Sequence, residues 1–273
     1  MDRHIEGYRG PRVAAGRARG GRAMQQDELV CLHDAGEDAH LLVLADGMGG
    51  DGAGELASAG VIHVACQLWQ QGGWRELPGA LFLEQLCQDA HAELRRRGQQ
   101  LASGSPHSTV VALLIRGQRA CWVHVGDSRL YRFQGRRLLG CTEDHSVAQL
   151  KVRRGELAHQ QLADDPDQHK LLRGLGGPQP PQVEHGCATL HAGQTFALCS
   201  DGVWERLSAR ELGSYARRRD QPVAMHEALT LALERGGEGG DNVALILARA
   251  GGARRWWRGG RLWSAVFDRA AAR

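Results

Sequence analysis

Acidic residues stand at the ends of apolar, strand-like runs in widely separated parts of the chain. Three runs, LLVLADG, CWVHVGDS and TFALCSDG, carry Asp46, Asp127 and Asp201 at their C-terminal ends. Two further acids stand at the N-terminal ends of such runs: Asp241 precedes NVALIL, and Asp27 precedes ELVCLH. A single Asp-Gly pair after a strand is a common turn signal, so a simple turn is the alternative interpretation of any one of them. Five such positions together indicate carboxylates that gather at strand ends.

Gathered carboxylates require positive charge, because an unpaired buried carboxylate costs on the order of several kcal/mol. The chain has only two lysines, Lys151 and Lys170, and few of the acids have an arginine nearby in sequence. Divalent cations would neutralise them. Carboxylate, backbone carbonyl and water ligands suit Mg²⁺ or Mn²⁺ and not zinc. The seven cysteines form no C-x-x-C pair, so we expect reduced thiols and neither a zinc site nor a disulfide framework.

Length and composition are those of an ordinary globular protein. The 273 residues, 42% hydrophobic and 24% charged, can form one large domain or two small ones. Neither a membrane-spanning apolar run nor a signal peptide is visible, so we expect a cytoplasmic location. A net charge of +3 is too small to indicate nucleic-acid binding, and the glycine-rich stretch lacks the lysine of a P-loop. We expect a monomer.

Strand-like runs joined by short turns alternate with pairs of helical patterns. Helices are predicted at residues 54–71, 79–97 and 222–234. Strict alternation of strand and helix is absent, so the pattern favours stacked antiparallel sheets with helix pairs outside. Residues 1–250 are predicted to form one domain. A polar excursion at about residues 147–178 suggests a helical flap, with the stretch DDPDQH on its surface.

Seven segments, in this order, resemble the PPM family of metal-dependent serine/threonine phosphatases, in its bacterial branch. They are residues 22–27, the DGMGG stretch within 41–58, HSTVVALL, VGDSRLYRF, TEDHS, LCSDGVWERLS and GGDNVALIL. Together they span nearly the whole chain and are jointly specific. The resemblance implies an α+β fold, a four-layer α-β-β-α sandwich of two antiparallel sheets flanked by helix pairs. It also implies a site for two metal ions in a cleft at one edge of the sandwich.

The resemblance also implies roles for the acids. Asp46 resembles the carboxylate that bridges both ions, and Gly47 the residue that offers its backbone carbonyl to one of them. This would explain the glycines of the DGMGG stretch, because without side chains the main chain can come close to an ion. Asp201 and Asp241 resemble the remaining ligands of one ion, and Asp27 belongs to the shell of the other.

Three further roles follow from the same resemblance. Asp127, with Asp201, resembles the ligands of a third, weaker ion; a turn aspartate paired with Arg129 is the alternative. Arg22 matches the arginine that grips the substrate phosphate with its fork of donors, although it could also be a solvated surface arginine. Asn242 resembles a residue that hydrogen-bonds near the phosphate or a metal-bound water.

Two positions depart from the family pattern. Gln26 stands where an acid is common, so the second ion would be bound more weakly. Met48 stands where eukaryotic members often carry a histidine proposed to protonate the leaving group, so the source of that proton is not identified from the sequence.

The function implied is hydrolysis of phosphoserine and phosphothreonine in proteins, opposing a cognate bacterial Ser/Thr kinase. Two ions (Mn²⁺ or Mg²⁺) would lower the pKa of a bridging water, and the hydroxide would attack phosphorus in line. The alternatives are a catalytically weak phosphopeptide-binding module and a phosphatase of small phosphoesters. The retained acids favour an enzyme.

The tail, residues 251–273, lies beyond the resemblance. Tryptophans and arginines interleave over residues 254–267, as in segments that lie on an anionic membrane or dock a partner. Folding back onto the domain, or disorder, is the alternative.

Overall fold

The computed structural model describes residues 4–50, 52–102 and 104–251. The strands are β1 (Glu6–Gly10), β2 (Val13–Ala18), β3 (Asp27–Asp34), β4 (Ala39–Met48), β5 (His107–Ser108), β6 (Val110–Arg116), β7 (Arg119–Val125), β8 (Arg129–Gln134), β9 (Arg137–Cys141), β10 (Glu184–Thr189), β11 (Gln194–Cys199) and β12 (Val243–Arg249). The α-helices are α1 (Ala53–Gln71), α2 (Gly79–Gly98), α3 (Val147–Arg153), α4 (Asp201–Trp204), α5 (Ala209–Ala216) and α6 (Gln221–Gly236). Short 3₁₀ helices occupy Gly73–Arg75 and His159–Asp164.

The strands form two antiparallel sheets that stack on each other. One has the order β1-β2-β12-β11-β8-β9, and the other has the order β10-β7-β6-β4-β3, with β5 paired to the end of β4. Helices α1 and α2 pack on the second sheet, and α4, α5 and α6 pack on the first. The predicted α-β-β-α sandwich is confirmed.

Strand β4 shows why each sheet is covered on one face by the other sheet and on the other face by helices. Leu42 and Leu44 point into the space between the sheets, where Phe196 meets them from the opposite sheet. The alternate residues Leu41 and Val43 point the other way and pack under α1 and α2. Because side chains alternate along a strand, a run that is apolar at every position must be covered on both faces.

The strand-like apolar runs of the sequence form β3, β4, β6, β7, β8, β11 and β12, and the three predicted helices are present. The two-residue β5 was not predicted, nor were β1, β2, β9 and β10, because glycine and charged or polar residues interrupt their sequences. In β2 the arginine, Arg17, is buried, and its ion pairs explain why it is tolerated there. Its guanidinium lies 3.0 Å from a carboxylate oxygen of Glu6 and 2.6 Å from one of Glu28, so the charge is paired.

The predicted reduced state of all seven cysteines is wrong for two of them. Cys121 on β7 and Cys187 on β10 are register partners on neighbouring strands and form a disulfide. They are 66 residues apart in sequence, so only the pairing of the two strands reveals their proximity. The remaining five cysteines are free thiols.

Residues 147–178 contain α3, the second 3₁₀ helix and irregular chain. Lys151 on α3 holds this segment together, with its ammonium 2.9 Å from Asp165 and 2.7 Å from Asp167. Gln168 is fully buried, so reading the whole DDPDQH stretch as surface is wrong at this position. The tail, for which a membrane or partner contact was considered, lies outside the described residues apart from Gly251. Among helices in the described ranges, none is both long and apolar enough to cross a membrane.

Candidate metal and phosphate site

The acidic strand ends meet in one pocket of about 290 Å³. Asp46 comes from the end of β4, Asp127 from the turn between β7 and β8, and Asp201 from the start of α4. Asp241, just before β12, completes the set of carboxylates in the lining, which also includes Arg22. Both sheets therefore contribute acids to the pocket, as the sandwich brings their edges together.

Asp27 lies beneath this pocket. It is the register partner of Asp46 across β3 and β4, and it is 1% exposed. The hydroxyl of Ser200 donates a hydrogen bond of 2.6 Å to its carboxylate. Burial raises the pKa of Asp27 well above its usual range, and the nearby Asp201 and Asp241 carboxylates raise it further.

Gly47 is required by backbone packing. A Cβ on this residue would lie 1.9 Å from the carbonyl oxygen of Gly54, in the first turn of α1, and 3.0 Å from that of Gln26. The Gly47 N–H also donates to the Gln26 carbonyl at 3.0 Å. The sequence interpretation assigned this glycine to an approach between main chain and an ion. The close contact that the structure shows is with neighbouring backbone, and it places the end of β4 against α1; the approach of the Gly47 carbonyl to an ion stays a prediction.

Asp46 and Asp241 both carry a raised carboxyl pKa. For Asp46 the causes are burial and then the surrounding acids, beginning with Asp27. For Asp241 they are burial and the Asp201 carboxylate, opposed by the Arg22 guanidinium. Arg22 Nη2 lies 2.5 Å from Asp241 Oδ2, so this arginine is located at the pocket.

Asn242 holds the loop that carries Arg22. Its side-chain N–H group donates to the carbonyls of Arg19 at 2.8 Å and Met24 at 3.0 Å. Its side-chain oxygen accepts from the Gln26 N–H at 2.7 Å. The amide predicted to lie near phosphate or water is thus engaged with backbone, and it shapes the pocket by fixing this loop.

The arginine that the sequence offers as a partner for Asp127 pairs with another acid in the structure. Arg129, the partner considered from the sequence, makes two hydrogen bonds of 2.7 Å with Asp144 and stacks over the ring of Trp204. The indole N–H of Trp204 donates to the Asp127 carbonyl at 2.9 Å, which holds this turn against α4. Burial, followed by the Asp201 and Asp144 carboxylates, raises the pKa of the Asp127 carboxyl well above its usual range.

Two residues at this site were missed from the sequence. His169, from the predicted flap, places Nδ1 3.6 Å from Asp201 Oδ2 and Nε2 3.7 Å from Glu205 Oε1. The contact with Asp201 raises the pKa of His169 to about 9, and burial raises that of Glu205 to about 7. Glu205 follows Asp201 by four residues, a helical spacing that could have revealed it. Nothing in the sequence near His169 indicates its position.

The chemistry of the donors fits hard divalent cations. The pocket and the layer beneath it present carboxylate oxygens from five aspartates, and no cysteine lines the pocket. Repulsion by neighbouring carboxylates contributes to the raised pKa values of Asp27, Asp46 and Asp127, and a bound divalent cation removes that repulsion. Oxygen-only ligation favours Mg²⁺ or Mn²⁺.

Comparisons with known proteins agree with this geometry. The model of the family described as Protein phosphatase 2C matches residues 17–234. The chain is 27% identical over 216 residues to the serine/threonine phosphatase stp of Listeria welshimeri, covering 76% of this chain and 83% of that protein. It is 32% identical over 219 residues to the serine/threonine protein phosphatase PstP of Mycobacterium tuberculosis, covering 77% of this chain and 40% of PstP. The solved catalytic domain of PstP in complex with two manganese ions superimposes with a TM-score of 0.72 at 27% identity, covering 87% of this chain and 97% of that one.

Proposed function

The chain belongs to the protein phosphatase 2C family, and we propose that its acidic pocket hydrolyses phosphoserine and phosphothreonine in proteins with two bound Mn²⁺ or Mg²⁺ ions. The observation that carries this proposal is the convergence of Asp46, Asp201 and Asp241 in one pocket with Arg22. The relatives named as serine/threonine phosphatases support the choice of substrate.

The carboxylates of Asp46, Asp201 and Asp241, with the backbone carbonyl of Gly47, are the proposed ligands. Asp27, in the layer beneath the pocket, would belong to the shell of the second ion. When bound, the cations supply an activated water for in-line attack on phosphorus and offset the charge on the phosphoryl oxygens. Asp127 and Asp201 are the proposed ligands of a third, weaker ion.

Arg22 is the proposed phosphate-binding residue. Arg22 lines the pocket and its side chain is 57% exposed, so its guanidinium can exchange Asp241 for a phosphate oxygen. A planar guanidinium binds two oxygens of a phosphate at once and so orients the phosphoryl group. Asn242 acts as a positioning residue, since it fixes the loop on which Arg22 stands.

The biological setting is part of the same proposal. A Ser/Thr kinase would supply the phosphoproteins that this enzyme dephosphorylates, in the cytoplasm, with the phosphatase acting as a monomer. The segment 147–178 would form a flap beside the pocket, since His169 extends from it to Asp201.

The test is hydrolysis of p-nitrophenyl phosphate and of phosphothreonine peptides by the full chain, with and without Mn²⁺. Asp201→Asn keeps the size of the side chain and removes a ligand charge, so we expect activity to fall by at least about 100-fold. Asp89→Asn, on the exposed face of α2, is the matched control and should retain wild-type activity.

A wild-type protein that binds phosphopeptides but releases no phosphate with Mn²⁺ or Mg²⁺ would contradict the proposal. That result would identify a phosphopeptide-binding module instead. Turnover of metabolite phosphates alone, with phosphopeptides untouched, would contradict the substrate class.

A further inference from the structure

A groove larger than the acidic pocket runs beside it. It has a volume of about 640 Å³, against about 290 Å³ for the acidic pocket. Its lining includes Met48, Leu171 and Leu172 together with the proline-containing residues 177–182, and we call it the flap groove. The two cavities share Met48, Gly49 and Leu171, so a chain lying in one can continue into the other.

The flap groove presents apolar surface to solvent. Leu172 is 55% exposed, which places it among the few large hydrophobic side chains that the described residues leave open. Leu171 lines both cavities. Exposed apolar surface beside a catalytic pocket is typical of a site that binds the apolar part of a ligand.

The groove wall also offers unused backbone hydrogen-bonding groups. Within the described residues, no backbone hydrogen bond joins residues 177–182 to another segment. Pro178, Pro180 and Pro181 have no N–H to donate, but their carbonyls and the N–H groups of Gln179 and Gln182 are available. Strand β10 begins only at Glu184, so this wall lies outside the sheet, with bends at residues 177–179. These groups can form individual hydrogen bonds with the main chain of a bound peptide.

We propose that the flap groove binds an apolar side chain of the substrate peptide within three residues of the phosphorylated Ser or Thr. The inference rests on the proposed phosphatase function and names the substrate class of the same site. The occupant is a phosphorylated segment in extended conformation, with its phosphate at the acids and its apolar neighbour against Leu172. A peptide with only polar neighbours leaves the leucine exposed, so it gains less from binding.

The test uses the full chain with Mn²⁺ and a set of phosphothreonine peptides. In each peptide one leucine is moved through positions −3 to +3 among polar residues, and a further peptide has polar residues only. We expect at least one leucine position to raise kcat/KM about three- to tenfold over the polar peptide, as partial burial of a leucine side chain predicts. Hydrolysis of p-nitrophenyl phosphate, which has no flanking residues, reports on the acidic pocket alone.

The informative variant is Leu172→Ser, whose side chain is exposed enough for the fold to tolerate it. We expect it to reduce the leucine preference to less than about twofold, mainly through KM, because it removes the apolar contact. Leu81→Ser, on α2 and 57% exposed, is the matched control and should keep the wild-type preference.

Two results would overturn the inference while leaving the phosphatase proposal intact. One is equal kcat/KM for every leucine position and the polar peptide in the wild type. The other is a Leu172→Ser variant that keeps the preference, or that slows leucine-containing and polar peptides to the same extent. Absence of hydrolysis of any substrate by the wild type would instead refute the phosphatase function itself.

Discussion

Gly47→Ala tests whether the close contact between β4 and α1 sets the geometry of the acidic pocket. The new Cβ would lie 1.9 Å from the carbonyl oxygen of Gly54 and 2.6 Å from its carbonyl carbon. Both atoms belong to backbone in the first turn of α1, so no side chain can rotate away. The strand end and the helix must separate by about 1 Å before the contact reaches the 3.0 Å at which Cβ contacts become tolerable.

A displacement of this size acts directly beside Asp46. Misplacement of catalytic groups by about 1 Å commonly costs on the order of 100-fold in rate. We therefore expect kcat/KM for a phosphothreonine peptide to fall by about that factor, and manganese affinity to fall with it. Overpacking should also lower the free energy of unfolding by about 1–3 kcal/mol. The assays are steady-state hydrolysis, calorimetric titration with Mn²⁺ and urea denaturation in the absence of metal.

Gly50→Ala is the matched control in the same glycine-rich stretch. A Cβ on Gly50 would meet no atom within 4 Å, so activity and stability should stay close to those of the wild type. A folded Gly47→Ala protein with near-wild-type activity and manganese affinity would refute the reasoning. It would mean that the two backbones separate without moving the acids.

Two further changes probe the structure around the pocket. Asn242→Ala removes three side-chain hydrogen bonds to the Arg22 loop, so we expect KM for phosphopeptides to rise and unfolding free energy to fall by about 1.5–4 kcal/mol; unchanged KM would contradict its positioning role. Burial, with His33 and Arg12 nearby, lowers the pKa of His40 to about 3, so the unfolded chain binds a proton first as pH falls through about 6.5. Stability is thus present above that pH and lost below it, by about 2 kcal/mol between pH 7 and pH 5. Urea denaturation without metal should show a correspondingly smaller loss in His40→Gln, and equal losses would contradict the assignment.

Much of the fold was predictable because its central strands are apolar at nearly every position. Runs such as that of β4 identify strands covered on both faces, and the acids that end or precede them are visible in the sequence alone. Strands β1 and β2 were not predicted, because their stability depends on partners elsewhere. Arg17 is acceptable inside β2 only because Glu6 comes to it from the adjacent β1 and Glu28 from β3 of the other sheet.

The acids of the candidate site were predictable as a set, but their individual surroundings were not. Sequence order does not tell that Asp27 lies opposite Asp46 or that Ser200 donates to it. It also does not tell that the exposed His169 ring on the flap comes within 3.6 Å of Asp201. These contacts join residues up to 173 positions apart, beyond the reach of any local pattern.

The sequence by itself determined which residue types stand at strand ends, and hence that hard cations were to be expected, while phosphate chemistry was implied by the resemblance to the PPM family. Local periodicity and residue chemistry suffice for that, because they act within a few residues. Only the tertiary structure decided the disulfide between Cys121 and Cys187, the packing reason for Gly47 and the groove beside the acids. Each of these depends on strand order and register, which are set by how the two sheets and their helices pack together.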